Sequence, residues 1–121
     1  MTYRLLAGAD DDIDRILFNS AAEWGIEAAD RYNRLMLAAF NIVGAAPDTL
    51  GALQIDGVPG VRTFPLRLVR HSTQPALRVG RPRHLVVYRV AADGVVEIIG
   101  LAHDRMHLAR AARRMQREAG R

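Results

Sequence analysis

Two apolar runs joined by a tight-turn signal constrain the fold of this chain more than any other feature. They lie in the segment RPRHLVVYRVAADGVVEIIGLAHDRM, residues 81–106, in which Asp93-Gly94 is a dipeptide typical of β-hairpins. Successive residues of a strand point to opposite faces of a sheet, and here both faces carry apolar side chains. The sequence therefore predicts a hairpin within a sheet that needs cover on both faces.

The register of this hairpin brings polar side chains to one end of the sheet. A two-residue loop would place His84 opposite His103 and Arg83 opposite Asp104. The alternation predicts one face with His84, Val86, Tyr88, Val90, Glu97, Ile99, Leu101 and His103, and a second with Arg83, Leu85, Val87, Arg89, Val96, Ile98, Gly100 and Ala102.

Two functions are open for the polar end of the hairpin. Histidines, a tyrosine and arginines together could supply the acid, the base and the phosphate clamp of an RNA-cleaving site. The same residues are also typical of a histidine pair packed at a sheet margin, with Tyr88 in the core and the arginines in solvent. We favour the second interpretation, because the apolar residues on both faces need cover more than they need chemistry.

Helix and turn signals surround the hairpin. TYRLL predicts a short first strand, and Asp10 is expected to cap a helix whose apolar residues recur at helical spacing as far as Trp24. Gly25 breaks the pattern before a second amphipathic helix that ends near Gly44 and Pro47. Residues 45–60 are expected to form a loop, 61–70 a strand, 71–80 a loop or hairpin tip, and 104–121 a basic helix. The order predicts a single α+β domain, residues 1–121, in which a helix hairpin packs on a small antiparallel sheet.

Charge and composition narrow the chemistry. Residues 1–60 hold four arginines and nine acidic residues, whereas residues 61–121 hold thirteen arginines and four acidic residues. Such asymmetry favours a nucleic acid, a nucleoprotein enzyme or an acidic protein as partner. The chain has no cysteine and no lysine, which excludes disulfides, thiolate chemistry and lysine Schiff bases.

Neither a metal site nor a membrane span is predicted. HDRMH, residues 103–107, has the spacing of a zinc-binding helix but lacks its glutamate, and no third ligand is suggested. No apolar run approaches the roughly 20 residues of a membrane span. We therefore expect no cofactor or metal, and a cytoplasmic protein.

Three segments resemble the ParE toxins of the RelE/ParE superfamily, from bacterial type II toxin–antitoxin systems. They are YRLLAGADDDIDRI, WGIEAADRYNRLMLAAF and RHLVVYRVAADGVVEIIGLAHDRMHLAR, and the resemblance extends from Tyr3 to about Arg113. Its most specific part is R-H-x-x-x-Y-R at residues 83–89, followed by L-x-H-D-x-M-x-L-A-R at residues 101–110. Residues 66–83 are longer than the short turn of many relatives.

The resemblance implies a toxin that stalls DNA gyrase on cleaved DNA and is held inactive by a ParD-type antitoxin, with nucleic acid contacted only through gyrase. It implies no catalytic residue. We expect the target to contact Arg83, His84, Tyr88, Arg89, His103 and Arg105. Because the C-terminal helix offers only a narrow apolar stripe, we also expect an acidic antitoxin segment to cover the second sheet face and the helix hairpin. The expected antitoxin contacts are Leu17, Trp24, Arg62, Arg67, Arg78, Leu85 and Val87.

Two alternatives come from other functional classes. A RelE-type ribosome-dependent mRNA endoribonuclease would share the layout, but such toxins usually carry lysines and a late tyrosine or histidine, and here His103 and Arg105 are the only residues that fit. A nontoxic nucleic-acid-binding module would use the basic helix. It is disfavoured because no base-reading motif or stacking aromatic residue accompanies the arginines.

Overall fold

The computed structural model describes residues 3–69 and 81–120, which form three α-helices and five strands. The loop or hairpin tip predicted for residues 71–80 lies outside the described residues. In chain order the elements are β1 (Tyr3–Leu5), α1 (Ala7–Trp24), α2 (Ile26–Ala45), β2 (Leu53–Ile55), β3 (Val58–Pro65), a 3-10 turn (Leu66–Leu68), β4 (His84–Val90), β5 (Val96–His103) and α3 (Leu108–Ala119).

The five strands form one mixed sheet in the order β1-β5-β4-β3-β2. β1 runs parallel to β5 and the other neighbours are antiparallel, so the sheet predicted as antiparallel is mixed at this edge. The prediction of a loop over residues 45–60 is also wrong in part. Leu53 and Gln54 pair with Thr63 and Arg62 to add β2 at the opposite edge, and a strand of three residues is too short to show a period of two.

The start of α1 differs from its prediction, whereas its end agrees. The helix begins at Ala7 with Leu6 as the N-cap residue, so Asp10 lies inside the first turn instead of capping it. There its negative charge still favours the positive end of the helix dipole. Gly25, with a φ of 96°, separates α1 from α2 as predicted.

Each face of the sheet is covered by helices of the chain itself. The α1–α2 hairpin packs on one face through a core that includes Leu35, Phe40 and Tyr88. On the other face, α3 packs through Ala111, Ala112 and Met115. The prediction that this face needs cover from outside the chain is therefore wrong, because two alanines let the helix approach the sheet closely and Met115 fills the remaining space.

The β4–β5 register agrees with the prediction at one end and departs from it at the other. His84 pairs with His103, and the Asp104 N–H donates to the Arg83 carbonyl oxygen at 2.8 Å. A bulge follows Val87, so that Tyr88 pairs with Ile98 and one extra residue enters β5. Beyond the bulge the predicted faces are wrong: Val96 and Ile98 pack under the helix hairpin with Tyr88, Ile99 packs under α3, and Glu97 pairs with Arg89.

Candidate functional site

An open cavity of about 880 Å³ lies between the helix hairpin and the end of the β4–β5 pair. Its volume falls within the range typical of ligand-binding clefts, roughly 300–1,000 Å³. The lining side chains come from α1 (Ile16, Asn19, Ser20, Glu23 and Trp24), from α2 (Ala28, Arg31 and Tyr32) and from the end of the sheet (Arg81, Arg83, His84 and His103).

A chain of three aromatic side chains connects α2 to the two central strands at this cavity. The Tyr32 hydroxyl lies 2.6 Å from His84 Nδ1. The His84 ring meets the His103 ring edge to face, with their centroids 5.2 Å apart and their planes at 87°. The predicted pairing of the two histidines is thus confirmed, and α2 supplies a tyrosine to the same group.

Burial determines the charge of this group. It lowers the pKa of His84 to about 4, and repulsion from His103 and Arg15 acts in the same direction. Burial also raises the pKa of Tyr32 to about 12. Near neutral pH, His84 is therefore uncharged and Tyr32 is protonated. The Tyr32 hydroxyl and His84 Nδ1 share one hydrogen bond, and the tautomer of the neutral imidazole decides which of them donates.

His103 is fixed by the turn that follows β5. Its Nδ1 accepts a hydrogen bond from the Arg105 backbone N–H at 3.2 Å and lies 3.1 Å from the Asp104 carboxylate. Asp104 in turn contacts the Arg83 guanidinium at 3.5 Å. This turn holds Arg83 beside the histidine pair, so three of the residues predicted to bind the target, Arg83, His84 and His103, line one cavity.

Positive charge dominates the cavity. Arg31 and Arg81 have no ion-pair partner within residues 3–69 and 81–120. Arg83 lies 3.5 Å from the Asp104 carboxylate, which also contacts His103. Glu23 is the acidic residue among the lining side chains. A site with this balance suits an anionic group.

Three residues predicted to bind the target do not line the cavity. Arg105 is exposed in the turn after β5, whereas Tyr88 and Arg89 are held by contacts elsewhere in the fold. Tyr88 is completely buried, and its hydroxyl donates to the Pro47 carbonyl oxygen at 2.6 Å, so it cannot contact a target in this fold. Arg89 lies toward α3, on the opposite face of the sheet. There it donates to Glu97 and to the Gly120 carbonyl oxygen, each at 2.8 Å, and it holds the pKa of the Glu97 carboxyl below its usual value. Both are structural residues in this chain.

The residues predicted to bind the antitoxin do not form one surface. Trp24 is 72% exposed in the cavity wall, whereas Leu17 packs against the core beneath the helix hairpin. Leu85 and Val87 lie on the face that α3 covers, and Val87 has no exposed surface, so a partner cannot reach it while α3 is docked. Arg62 forms an ion pair with Asp48, Arg67 is exposed in the 3-10 turn, and Arg78 lies outside the described residues.

The sequence did not single out three residues that define the cavity: Arg31, Tyr32 and Arg81. Tyr32 lies at helical spacing among the apolar residues of α2, yet its hydroxyl bonds to a residue 52 positions away. No local pattern reports a contact over such a separation. The one available signal was a hydroxyl on an otherwise apolar stripe, because a buried tyrosine usually finds a hydrogen-bond partner.

The architecture now defines the class of protein. A helix hairpin and a C-terminal helix on opposite faces of a five-stranded mixed sheet make an α+β protein with a RelE/ParE-like fold. A family model described as "ParE toxin of type II toxin-antitoxin system, parDE" matches residues 3–108. The chain belongs to this family, as its sequence predicted, and is a toxin of a type II toxin–antitoxin system. No curated protein matches the chain.

Neither a metal-binding cluster nor a membrane-spanning helix occurs in residues 3–69 and 81–120. That part of the chain contains no group of three or more His, Asp or Glu side chains placed to hold a metal ion. His107, the second histidine of HDRMH, caps α3 by accepting from the Arg110 backbone N–H at 3.3 Å. None of the described helices is long and apolar enough to cross a membrane.

Proposed function

We propose that this toxin inhibits DNA gyrase in the cytoplasm by binding to it, and that a ParD-type antitoxin neutralises the toxin. The observation that carries the proposal is the family match over residues 3–108. The antitoxin partner follows from membership of a two-component system, and gyrase is the target that the family resemblance implies.

The charge of α3 supports an enzyme bound to DNA as the target. Ala111, Ala112 and Met115 face the sheet, which leaves the arginines of this helix on its outer side. Such a basic surface is attracted to nucleoprotein at long range, and the attraction falls as salt rises. The exposed arginines of α3 are Arg110, Arg113, Arg114 and Arg117.

The chemistry of the cavity argues against RNA cleavage. A general acid or base works best when its pKa lies near the working pH. With a pKa of about 4, His84 is a poor match at neutral pH, and the hydroxyl of Tyr32 is committed to it. Tyr88, the other tyrosine in this part of the sheet, is buried away from the cavity. We therefore assign the cavity residues to binding.

Plasmid topology and messenger integrity together test this proposal. We expect expression without the antitoxin to stop growth and leave plasmids relaxed or cleaved, while messenger RNA stays intact at early times. Purified toxin should inhibit supercoiling by gyrase, and co-expression of the adjacent antitoxin gene should restore growth. Rapid codon-phased cleavage of messenger RNA with normal supercoiling would replace gyrase inhibition with the RelE-type activity.

A further inference from the structure

We propose that the cavity between the helix hairpin and the β4–β5 end binds a carboxylate side chain of the antitoxin, together with an apolar side chain from the same segment. This inference rests on the antitoxin partner of the proposed function. It assigns the cavity as the place where an acidic and an apolar side chain of the antitoxin bind. The occupant is argued from the charge, the hydrogen-bond donors and the exposed apolar surface of the cavity.

The charge of the cavity selects an anion. Arg31 and Arg81 approach it from different elements, α2 and the segment before β4, and no acidic side chain among the described residues pairs with either of them. Two guanidinium groups that line one cavity can bind one carboxylate through charge-assisted hydrogen bonds. Arg83 adds a third positive charge, which Asp104 offsets in part from 3.5 Å.

The histidines supply further donors that a carboxylate can use. Nδ1 of His84 shares a hydrogen bond with the Tyr32 hydroxyl, and the Arg105 backbone N–H donates to Nδ1 of His103. Both rings line the cavity, so their ring nitrogens can offer N–H donors to a bound carboxylate beside the guanidinium groups.

Apolar surface is exposed beside these donors. We therefore expect the bound segment to carry an apolar side chain next to its carboxylate. Trp24, in the cavity wall, is 72% exposed, and Ile26, just past the turn, is 81% exposed. Ile16 and Ala28 continue the apolar lining inward. Large side chains left in water next to a charged cleft are typical of a surface that a protein partner covers.

The distribution of acidic residues favours a polypeptide over a nucleic acid. Glu23 of α1 lies in the cavity lining. A nucleic acid carries a charge on every phosphate, so phosphates next to the one bound by the arginines would be repelled by Glu23. A peptide with one or two carboxylates can place these at the arginines and no charge beside Glu23. Its binding would also cover Arg83, His84 and His103, part of the predicted target surface.

Trp24 makes the test direct, because it is the single tryptophan of the chain and lies in the cavity wall. Its fluorescence in the full-length toxin is measured during titration with a capped hexapeptide of alternating Glu and Leu, whose only carboxylates are side chains. The same peptide with Gln in place of Glu, a thymidine hexanucleotide and inorganic phosphate are titrated in parallel. We expect the Glu peptide to bind saturably. The Gln peptide should bind at least about five-fold more weakly than the Glu peptide.

Matched variants locate the binding. Arg31→Gln and Arg81→Gln should each weaken binding of the Glu peptide by about three-fold or more, since each removes one charged donor. Arg34→Gln, one turn further along α2 and paired with Asp30, should leave it unchanged. Three outcomes would each overturn the proposal. The Glu peptide could show no saturable binding, the Arg34 variant could lose as much affinity as the cavity variants, or the oligonucleotide or phosphate could bind more tightly than the Glu peptide.

Because the titration contains no gyrase, it separates this inference from the proposed function. A toxin that binds the Glu peptide but does not inhibit gyrase would remove the proposed target and leave the cavity assignment in place. A gyrase inhibitor that ignores the peptide would remove the cavity assignment alone.

Discussion

Met115 of α3 lies directly over Gly100 of β5. A Cβ atom at residue 100 would be 2.5 Å from Met115 Sδ and 2.9 Å from its Cγ and Cε, so only glycine leaves the methionine room to reach the sheet. Both residues belong to the packing between α3 and the second sheet face. This contact lets a helix with a narrow apolar stripe close that face without a partner.

Substitution of Gly100 should therefore loosen α3. We expect Gly100→Ala to lower the free energy of unfolding by about 1–2 kcal/mol, because the new methyl group overlaps Met115, whose flexible end can move only in part. Gly8→Ala is the matched control, since the nearest atom to its Cβ, the Ile99 carbonyl oxygen, lies at 3.4 Å. Urea unfolding measures both changes.

A double-mutant cycle tests the contact itself. Met115→Ala alone should cost about 2–4 kcal/mol through lost packing. The double variant should lose less than the sum of the two single variants by about 1 kcal/mol, because the shortened side chain no longer meets the new methyl group. Strict additivity would mean that the two side chains do not compete for this space.

His84 should make stability depend on pH below neutrality. In the folded chain it binds a proton only near pH 4, whereas an unfolded histidine binds one near pH 6.5. Between these values the unfolded state holds more protons, so the stability present above pH 6.5 is lost as the pH falls toward 4. Allowing for the partial exposure of the ring, we expect a loss of about 1 kcal/mol between pH 7 and pH 5.

Two variants isolate this effect. His84→Asn keeps a side chain that can bond to the Tyr32 hydroxyl but does not titrate, and its unfolding free energy should change less over the same pH interval. His107→Asn keeps a side chain able to cap α3 and should retain the pH dependence of the natural chain. Equal pH dependence in the natural chain and the His84 variant would assign the effect to other groups.

Features set by local pattern were predictable from the sequence. Gly25 separates the helices, and Asp93-Gly94 marks the turn between β4 and β5, but the bulge and not the turn returns His84 to its place opposite His103. The bulge beside Val87 was not predictable. Both faces of these strands are apolar, so an extra residue in β5 leaves the pattern of apolar residues in the sequence unchanged. The cover provided by α3 was also missed, since small residues such as Gly100 and Ala112 increase burial by allowing close approach rather than by adding apolar bulk.

The candidate site was predictable only in part, for the same physical reason. The bulge after Val87 sets the register that pairs the two histidines, and Tyr32 and Arg31 come from a helix that approaches them through tertiary packing. Tyr88 shows the converse. Its place between polar residues suggested a target contact, whereas the bulge and the Pro47 carbonyl hold it in the core.

Substitutions around the histidine pair should weaken gyrase inhibition by degrees. Arg83→Ala, His103→Ala and Arg105→Ala each remove one contact at a binding surface, for which we expect losses of about 3–10-fold in the inhibitory concentration. Supercoiling assays with folded, purified variants measure this. If His103→Ala or His84→Ala alone abolished activity, with a rate that rose and fell around a pKa near 6.5, catalysis would be the better account.

Charge reversal at Arg67 should slow the association of the toxin with its antitoxin more than it shortens the life of the complex. Arg67 is exposed in the 3-10 turn, where it can attract an acidic segment before contact, and such steering acts on the association rate and fades with salt. We expect Arg67→Glu to slow association by about 3–5-fold at low salt and to leave dissociation nearly unchanged. Arg78, outside the described residues, carries the same expectation.

Trp24→Ala provides the contrast, because apolar anchors carry most of the affinity of an interface. With its side chain 72% exposed, this substitution should leave folding intact and speed dissociation by about ten-fold or more. Stopped-flow or surface-binding kinetics over a salt series measure both rates. Faster dissociation in the Arg67 variant, or slower association with no salt dependence, would show that Arg67 is a buried contact of the complex and not a steering charge.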